Sequence, residues 1–120
     1  MKIGVVKETF PGERRVAIIP LSLPGLKKKG FEVLLEAGAG LEAGFPDSVY
    51  EERDVTIVND RKEVFEKADI MAHIRGLGAN PENGTADLEL YKKGQIVLGQ
   101  MEPLTAHDEM KKLAEAGVTS

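Results

Sequence analysis

Short apolar runs recur along the chain, each bounded by polar or glycine residues, with stretches of helical spacing between them. The runs are Lys2 to Lys7 (KIGVVK), Phe31 to Glu36 (FEVLLE), Val55 to Val58 (VTIV), Asp69 to Ile74 (DIMAHI) and Gln95 to Gly99 (QIVLG). Near-continuous apolar runs of strand length suit strands buried on both faces, as in a parallel sheet. The intervening stretches carry helix signals. Ser22 is placed to cap Leu23 to Lys29, with Gly30 as the stop, and Asp47 to cap Ser48 to Arg53. Asp60 is placed to cap Arg61 to Lys67, with Val64, Phe65 and Ala68 on one face. Leu88 to Lys92 reads as a short helix. Thr105 is placed to cap Ala106 to Ala116, with Met110, Leu113 and Ala114 inward and Gly117 ending it.

This alternation predicts an α/β fold: a mostly parallel twisted sheet with helices on both sides. Val118-Thr119-Ser120 read as the first residues of a sixth strand, so the last strand is expected to be truncated. The polar stretch Gly76 to Asp87 is the longest predicted loop and follows strand four. That places it at the carboxyl edge of the sheet, where open α/β sheets hold their ligands.

Composition narrows the function. The 120 residues make one domain, and 42% hydrophobic with 30% charged residues describes a globular chain. A net charge of -4 and the lack of any long basic run argue against a nucleic-acid partner. There is no cysteine, which excludes thiolate chemistry and disulfides. The two histidines, His73 and His107, lack metal-ligand spacing, so no metal site is expected. His73 falls within strand four and reads as a packing residue; His107 falls on a helix and reads as a surface residue. No apolar run is long enough for a signal peptide or a membrane span, which makes cytoplasmic residence the expectation.

Two segments compete as candidate chemistry. In "EVLLEAGAGLEAGF", Gly38, Gly40 and Gly44 follow strand two and Asp60 follows strand three, much as in a dinucleotide fingerprint. A fingerprint needs a helix that starts within the motif, so that its N-terminus meets the pyrophosphate. Here Phe45-Pro46-Asp47 intervene, and the glycines are expected to serve a chain reversal instead. The second segment, "KETFPGERRVAIIP" from Lys7 to Pro20, is a charged connection after strand one with Pro11-Gly12 as its turn. Charged residues followed at once by an apolar stretch are held near the sheet edge. Arginine there suits the grip of a planar carboxylate or phosphate; a surface salt-bridge cluster is the alternative.

"KIGVVKETFPGERRVAIIP", followed by "KKKGFEVLLEAGAGLEAGFPDSVYE", resembles the N-terminal domain shared by alanine dehydrogenase and the NAD(H)-binding alpha subunit of proton-translocating NAD(P) transhydrogenase. The resemblance runs over residues 1–120 and implies a flavodoxin-like three-layer sandwich, packed across a cleft from a separate NAD-binding Rossmann domain that this chain lacks. Alanine dehydrogenases hold the substrate carboxylate with the Arg of "RVA", here Arg15, and a second basic residue after strand four, here Arg75. Their catalytic histidine follows strand five, where this chain reads "VLGQMEPLT" with Glu102. The transhydrogenase alpha subunit matches better, in "PGERRVA", in the Arg after strand four and in "EPLT".

The resemblance thus implies a lobe of an enzyme that transfers hydride between NAD(H) and NADP(H). Arg15 and Arg75 are cleft candidates, and no catalytic residue is assigned within this chain. NAD(H) is expected to be bound mainly outside it, and the lobe alone is expected to be inactive. Implied partners are the missing Rossmann domain and the NADP-binding and membrane transhydrogenase subunits, with a homodimer in the longer protein and peripheral association with the inner membrane. An alanine dehydrogenase-like lobe and a stand-alone binding module remain the alternatives.

Overall fold

A computed structural model describes residues 1–120. Five strands form one sheet: β1 (Lys2–Val5), β2 (Glu32–Glu36), β3 (Thr56–Val58), β4 (Ile70–Arg75) and β5 (Ile96–Gln100). Their order is β3-β2-β1-β4-β5, and every pairing is parallel. The parallel α/β expectation holds, with strand boundaries displaced by one or two residues. Thr119 makes a parallel bridge to Ile96, where the sequence predicts the start of a sixth strand.

Each side of the sheet has its own apolar cluster because strand side chains alternate faces. Ile3, Val5, Val33, Leu35 and Ile70 point to one side. There they pack with Leu23 of α1 (Leu23–Lys28), Tyr50 of α2 (Asp47–Glu51) and the returning segment Val16 and Ile18. Leu34 and Met71 point to the other side, against Val64, Phe65 and Ala68 at α3 (Arg61–Lys67). All three of the residues predicted for the α3 face are completely buried. Val97 carries the second cluster outward to Leu113 of α5 (His107–Glu115), the last helix. Helices therefore cover both faces.

The helix ends deviate in instructive ways. Asp60 caps α3 as predicted, accepting from the Lys62 N–H at 3.0 Å. Ser22 stands at the N-cap of α1, as predicted, but its side chain makes no capping bond, and a 3-10 turn at Pro20–Ser22 leads into the helix. Asp47 lies inside α2, and its carboxylate accepts from the Gly38 N–H at 2.9 Å. Thr105 sits one residue too early to cap α5, and Ala114 is exposed while Met110 and Leu113 pack inward. The predicted helix at Leu88 to Lys92 and the loop before it are replaced by a chain of tight helical turns. These are 3-10 turns at Leu77–Ala79 and Thr85–Leu90 flanking α4 (Pro81–Gly84).

Tyr50 shows how one polar group fixes the returning segment. Its ring is fully buried, and its hydroxyl donates to the Ile18 carbonyl at 2.9 Å. Burial also pushes the phenol up to about 12, with Asp47 adding to the shift. Tyr50→Phe leaves the Ile18 carbonyl unpaired and is expected to cost about 1–2 kcal/mol, read as a lower midpoint in urea at unchanged slope.

Candidate functional site

The sheet order reverses between β1 and β4, because α3 carries the chain from β3 across to the far side of β1. Such a reversal opens a crevice at the carboxyl edge. Two segments leave the sheet there: residues 6–20 after β1 and residues 76–80 after β4.

Arg15 and Arg75 come from these two segments and meet on a single carboxylate. Arg15 donates from Nε to Glu13 Oε1 at 2.7 Å and from Nη2 to Glu13 Oε2 at 2.9 Å. Arg75 donates from Nε to the same Oε2 at 3.0 Å. The Glu13 side chain is only 5% exposed, covered by its two guanidinium partners rather than sunk in the core. Arg15, its first cause, together with Arg75, holds the Glu13 carboxyl down at about 2. In return, the bond to Glu13 raises the already basic Arg15. Arg75 also lies over the Phe10 ring, 4.1 Å from its centroid. Phe10 and Glu13 together fix the plane of that guanidinium.

The charged stretch is therefore an ion-pair cluster built to orient two arginines. Both are held through their Nε side, and each keeps a terminal N–H edge directed away from Glu13. Two guanidiniums on one carboxylate leave a net positive charge. A cavity of about 100 Å³ borders this group, lined by Lys7, Glu8, Glu13, Arg14, Arg15 and Glu42 among others. Its charged lining is balanced, three cationic side chains against three carboxylates.

Beneath it lies a buried polar network. Arg61 grips Asp87 with two parallel bonds, Nε to Oδ1 at 2.8 Å and Nη2 to Oδ2 at 2.6 Å. Its Nη1 reaches both Glu36 Oε2 at 2.9 Å and the Lys7 carbonyl at 2.8 Å. Burial works against the Arg61 charge, but Asp87 and Glu36 outweigh it and keep the guanidinium more basic than usual. Arg61 thus ties together the ends of β1 and β2, the start of α3 and the turn at Thr85–Leu90. Asn80 and Asn83 fasten the neighbouring turns to Thr9, by bonds of 2.8 and 3.0 Å.

His73 is buried in strand β4, as its place in the apolar run predicts, and its Nε2 lies 3.0 Å from the Tyr91 hydroxyl. Burial lowers its pKa to about 4, with Arg61 assisting and Asp87 opposing. The same burial pushes Tyr91 up, leaving a neutral donor for a neutral imidazole. Because the folded chain resists protonating His73, the unfolded chain binds the extra proton at moderately acid pH. The His73 contribution to stability is full above pH 6.5 and is lost as pH falls from 6.5 towards about 4. Glu8 has the opposite sign, since its raised pKa favours the folded state as pH falls. An NMR titration should place the His73 midpoint near about 4, well below an exposed histidine; a midpoint at 6.5 would contradict its burial. His107 stands exposed at the start of α5.

The glycine loop meets none of the needs of a phosphate cradle. Gly38 has φ 80°, the left-handed region that a tight reversal requires. Its N–H, the donor a pyrophosphate would seek, is taken by Asp47. A carboxylate at that place repels phosphate, and α2 is a helix of a single turn. The glycines serve the turn.

The sequence reading named Arg15 and Arg75 but not the carboxylates and the aromatic that place them. Glu13 stands two residues before Arg15, and Glu8 stands where the apolar run of β1 ends. Those positions were visible, but the long-range pairing was not. Asp87 and Arg61 are 26 residues apart and carry no local pattern that joins them.

Residues 4–120 match the family model "Alanine dehydrogenase/PNT, N-terminal domain". The chain is 36% identical over 119 residues to the NAD(P) transhydrogenase subunit alpha of Cereibacter sphaeroides, covering 99% of this chain and 22% of that protein. Its fold superposes on the transhydrogenase from Sinorhizobium meliloti with a TM-score of 0.86 at 29% identity, covering 98% of this chain and 33% of that one. It superposes on an L-alanine dehydrogenase with a TM-score of 0.87 at 27% identity, covering 98% and 31%. The chain therefore spans a third or less of the length of these relatives, and backbone shape does not separate the two enzymes.

Proposed function

The chain belongs to the alanine dehydrogenase/PNT N-terminal domain family, and from that premise we propose that it is the outer lobe of an NAD(P) transhydrogenase alpha subunit. In this reading the longer protein transfers hydride between NAD(H) and NADP(H). The observation that carries the choice is the placement of the two histidines. His73 is buried and bound to Tyr91, and His107 is exposed at the start of α5. His73 lies before β5 and lines the same small chamber as Arg75, and His107 lies within α5, whereas an alanine dehydrogenase carries its proton-moving histidine in the segment directly after β5. Glu102 occupies that region, exposed and with φ 51°. A carboxylate in that place is not the imidazole that serves alanine dehydrogenases as proton carrier.

The chemistry of hydride transfer belongs to the two nicotinamides. The lobe supplies one wall of the cleft, with Arg15 and Arg75 presenting charge-assisted donors to an anionic group there. The nucleotide is held mainly by the Rossmann domain beyond these residues. An NADP-binding subunit and a membrane subunit are the partners, and the longer protein is a homodimer peripheral to the inner membrane. No helix of this chain is long and apolar enough to cross a membrane.

Hydride transfer from NADH to an NADP analogue, by the longer protein with its NADP-binding partner, tests the role of the pair. Changing Arg15 and Arg75 together to Ala is expected to lower the rate at least about tenfold, the loss of one charge-assisted contact. An unchanged rate removes the arginines from the function. Titrating NADH into the 120-residue chain is expected to show no saturation at millimolar concentration. Saturable binding would return the nucleotide to this lobe.

A further inference from the structure

The crevice at the β1/β4 reversal is filled, and what fills it is a carboxylate of the chain itself. Glu8 leaves β1 just beyond its last paired residue and turns its side chain towards β4. Oε1 accepts from the Ile74 N–H at 2.7 Å, and Oε2 accepts from the Arg75 N–H at 3.1 Å. Successive N–H groups of a regular strand point to opposite sides. These two converge because the β4–β5 register slips between Ala72 and Arg75. Pairing of β1 with β4 has ended by then, at Val5 and Ala72, so neither N–H has a strand carbonyl to bond on that side. Two adjacent backbone donors turned into one concavity form an anion nest. Lys7, Arg61 and Arg75 line the same space, together with Asp87.

We propose that the β1/β4 crevice is a built carboxylate-binding site whose resident occupant is Glu8, and that a small external carboxylate takes the same two N–H donors once that side chain is withdrawn. Glu8 also separates two spaces. It lines the cavity beside Arg15 and Glu13 on one side and the small chamber beside His73 and Tyr91 on the other. Withdrawal of the side chain joins them. Glu8 therefore acts as an internal ligand that keeps the crevice shut to anions from the arginine cleft. This inference rests on the crevice alone and holds for either enzyme of the family.

The test is chemical rescue of Glu8→Ala in the 120-residue protein. Acetate restores the atoms that this change deletes. In a 15N–1H correlation spectrum, the Ile74 and Arg75 amides of the variant are expected to shift saturably with acetate. Half-saturation should lie on the order of tens of millimolar, as suits a contact of two hydrogen bonds. Sodium chloride and acetamide at equal concentration are expected to leave these amides unmoved. The unaltered protein, whose nest remains occupied, should not respond to acetate. If Glu8→Ala is unfolded in plain buffer, the reading becomes recovery of its far-ultraviolet circular dichroism, expected with acetate and not with chloride. Amides that ignore acetate in a folded variant, or an unfolded variant that acetate does not restore beyond chloride, overturn the proposal. A matching shift in the unaltered protein overturns it as well.

Discussion

Arg61→Ala is expected to destabilise the protein by about 3–5 kcal/mol, the range for removing one partner of a buried ion-pair network. The size follows from what is left behind. Asp87 and Glu36, with side chains 10% and 15% exposed, each lose their cationic partner while remaining covered by the fold. The Lys7 carbonyl loses a donor at the same time. The thermal midpoint should fall by roughly 10 °C or more for a domain of this size. Arg61→Met, which keeps an aliphatic side chain beside Phe65 but no charge, should lose nearly as much stability. A Met variant as stable as the unaltered protein would mean that Arg61 acts by packing over Phe65, whose ring centroid is 5.8 Å from the guanidinium carbon, and not by charge.

The second large effect is steric. At Gly78, an added Cβ would lie 1.6 Å from the Met101 carbonyl oxygen and 2.7 Å from its carbon. Both obstacles are backbone, so no rotamer change relieves them. Gly78→Ala must drive the Leu77–Ala79 turn away from the end of β5, at a cost of about 3 kcal/mol, the upper part of the overpacking range. The displacement disturbs the segment that follows Arg75, so the Arg75–Glu13 contact should loosen together with stability. Gly25→Ala is the control. Its Cβ would meet nothing within 4 Å, and it lies within α1. That change should stabilise the protein by about 0.5–1 kcal/mol through better helix propensity. Urea unfolding of the two variants settles both values, and a Gly78→Ala midpoint equal to that of Gly25→Ala would contradict the packing described here.

What the sequence disclosed and what it hid divide along the range of the interactions. Strand periodicity depends on neighbours two residues apart, so Val33, Leu34 and Leu35 announced β2, and Val64, Phe65 and Ala68 announced the buried face of α3. Capping is nearly as local, yet Ser22 stands at the predicted N-cap without a side-chain bond, after the turn at Pro20, and α5 starts one residue later than a cap at Thr105 requires. Asp47 misled for another reason: its oxygen serves Gly38, nine residues earlier, and a cap pattern cannot see that far. The site was legible at its two arginines only through a family resemblance. Their organiser, Glu13, contacts Arg75 across 62 positions, and Glu8 reaches the nest across 66 and 67. Those pairings exist only once the sheet has brought the carboxyl ends of β1 and β4 side by side.

The same assembly explains why the turns after β4 escaped prediction. Residues 76–90 hold themselves with short-range backbone bonds, but their shape is set by Asn80 and Asn83 on Thr9 and by Asp87 on Arg61. A polar segment rich in Gly, Asn and Asp reads as a loop when those anchors are invisible. With the anchors in place, it becomes a rigid rim of the cleft.

The central claim is tested most directly by giving the longer protein both reactions side by side. NADH is supplied either with an NADP analogue and the NADP-binding partner, or with pyruvate and ammonia. Hydride transfer to the NADP analogue, with no oxidation of NADH by pyruvate and ammonia, is the predicted result. NADH oxidation that depends on pyruvate and ammonia, with no transfer to the NADP analogue, would contradict the account and make this chain the lobe of an amino-acid dehydrogenase.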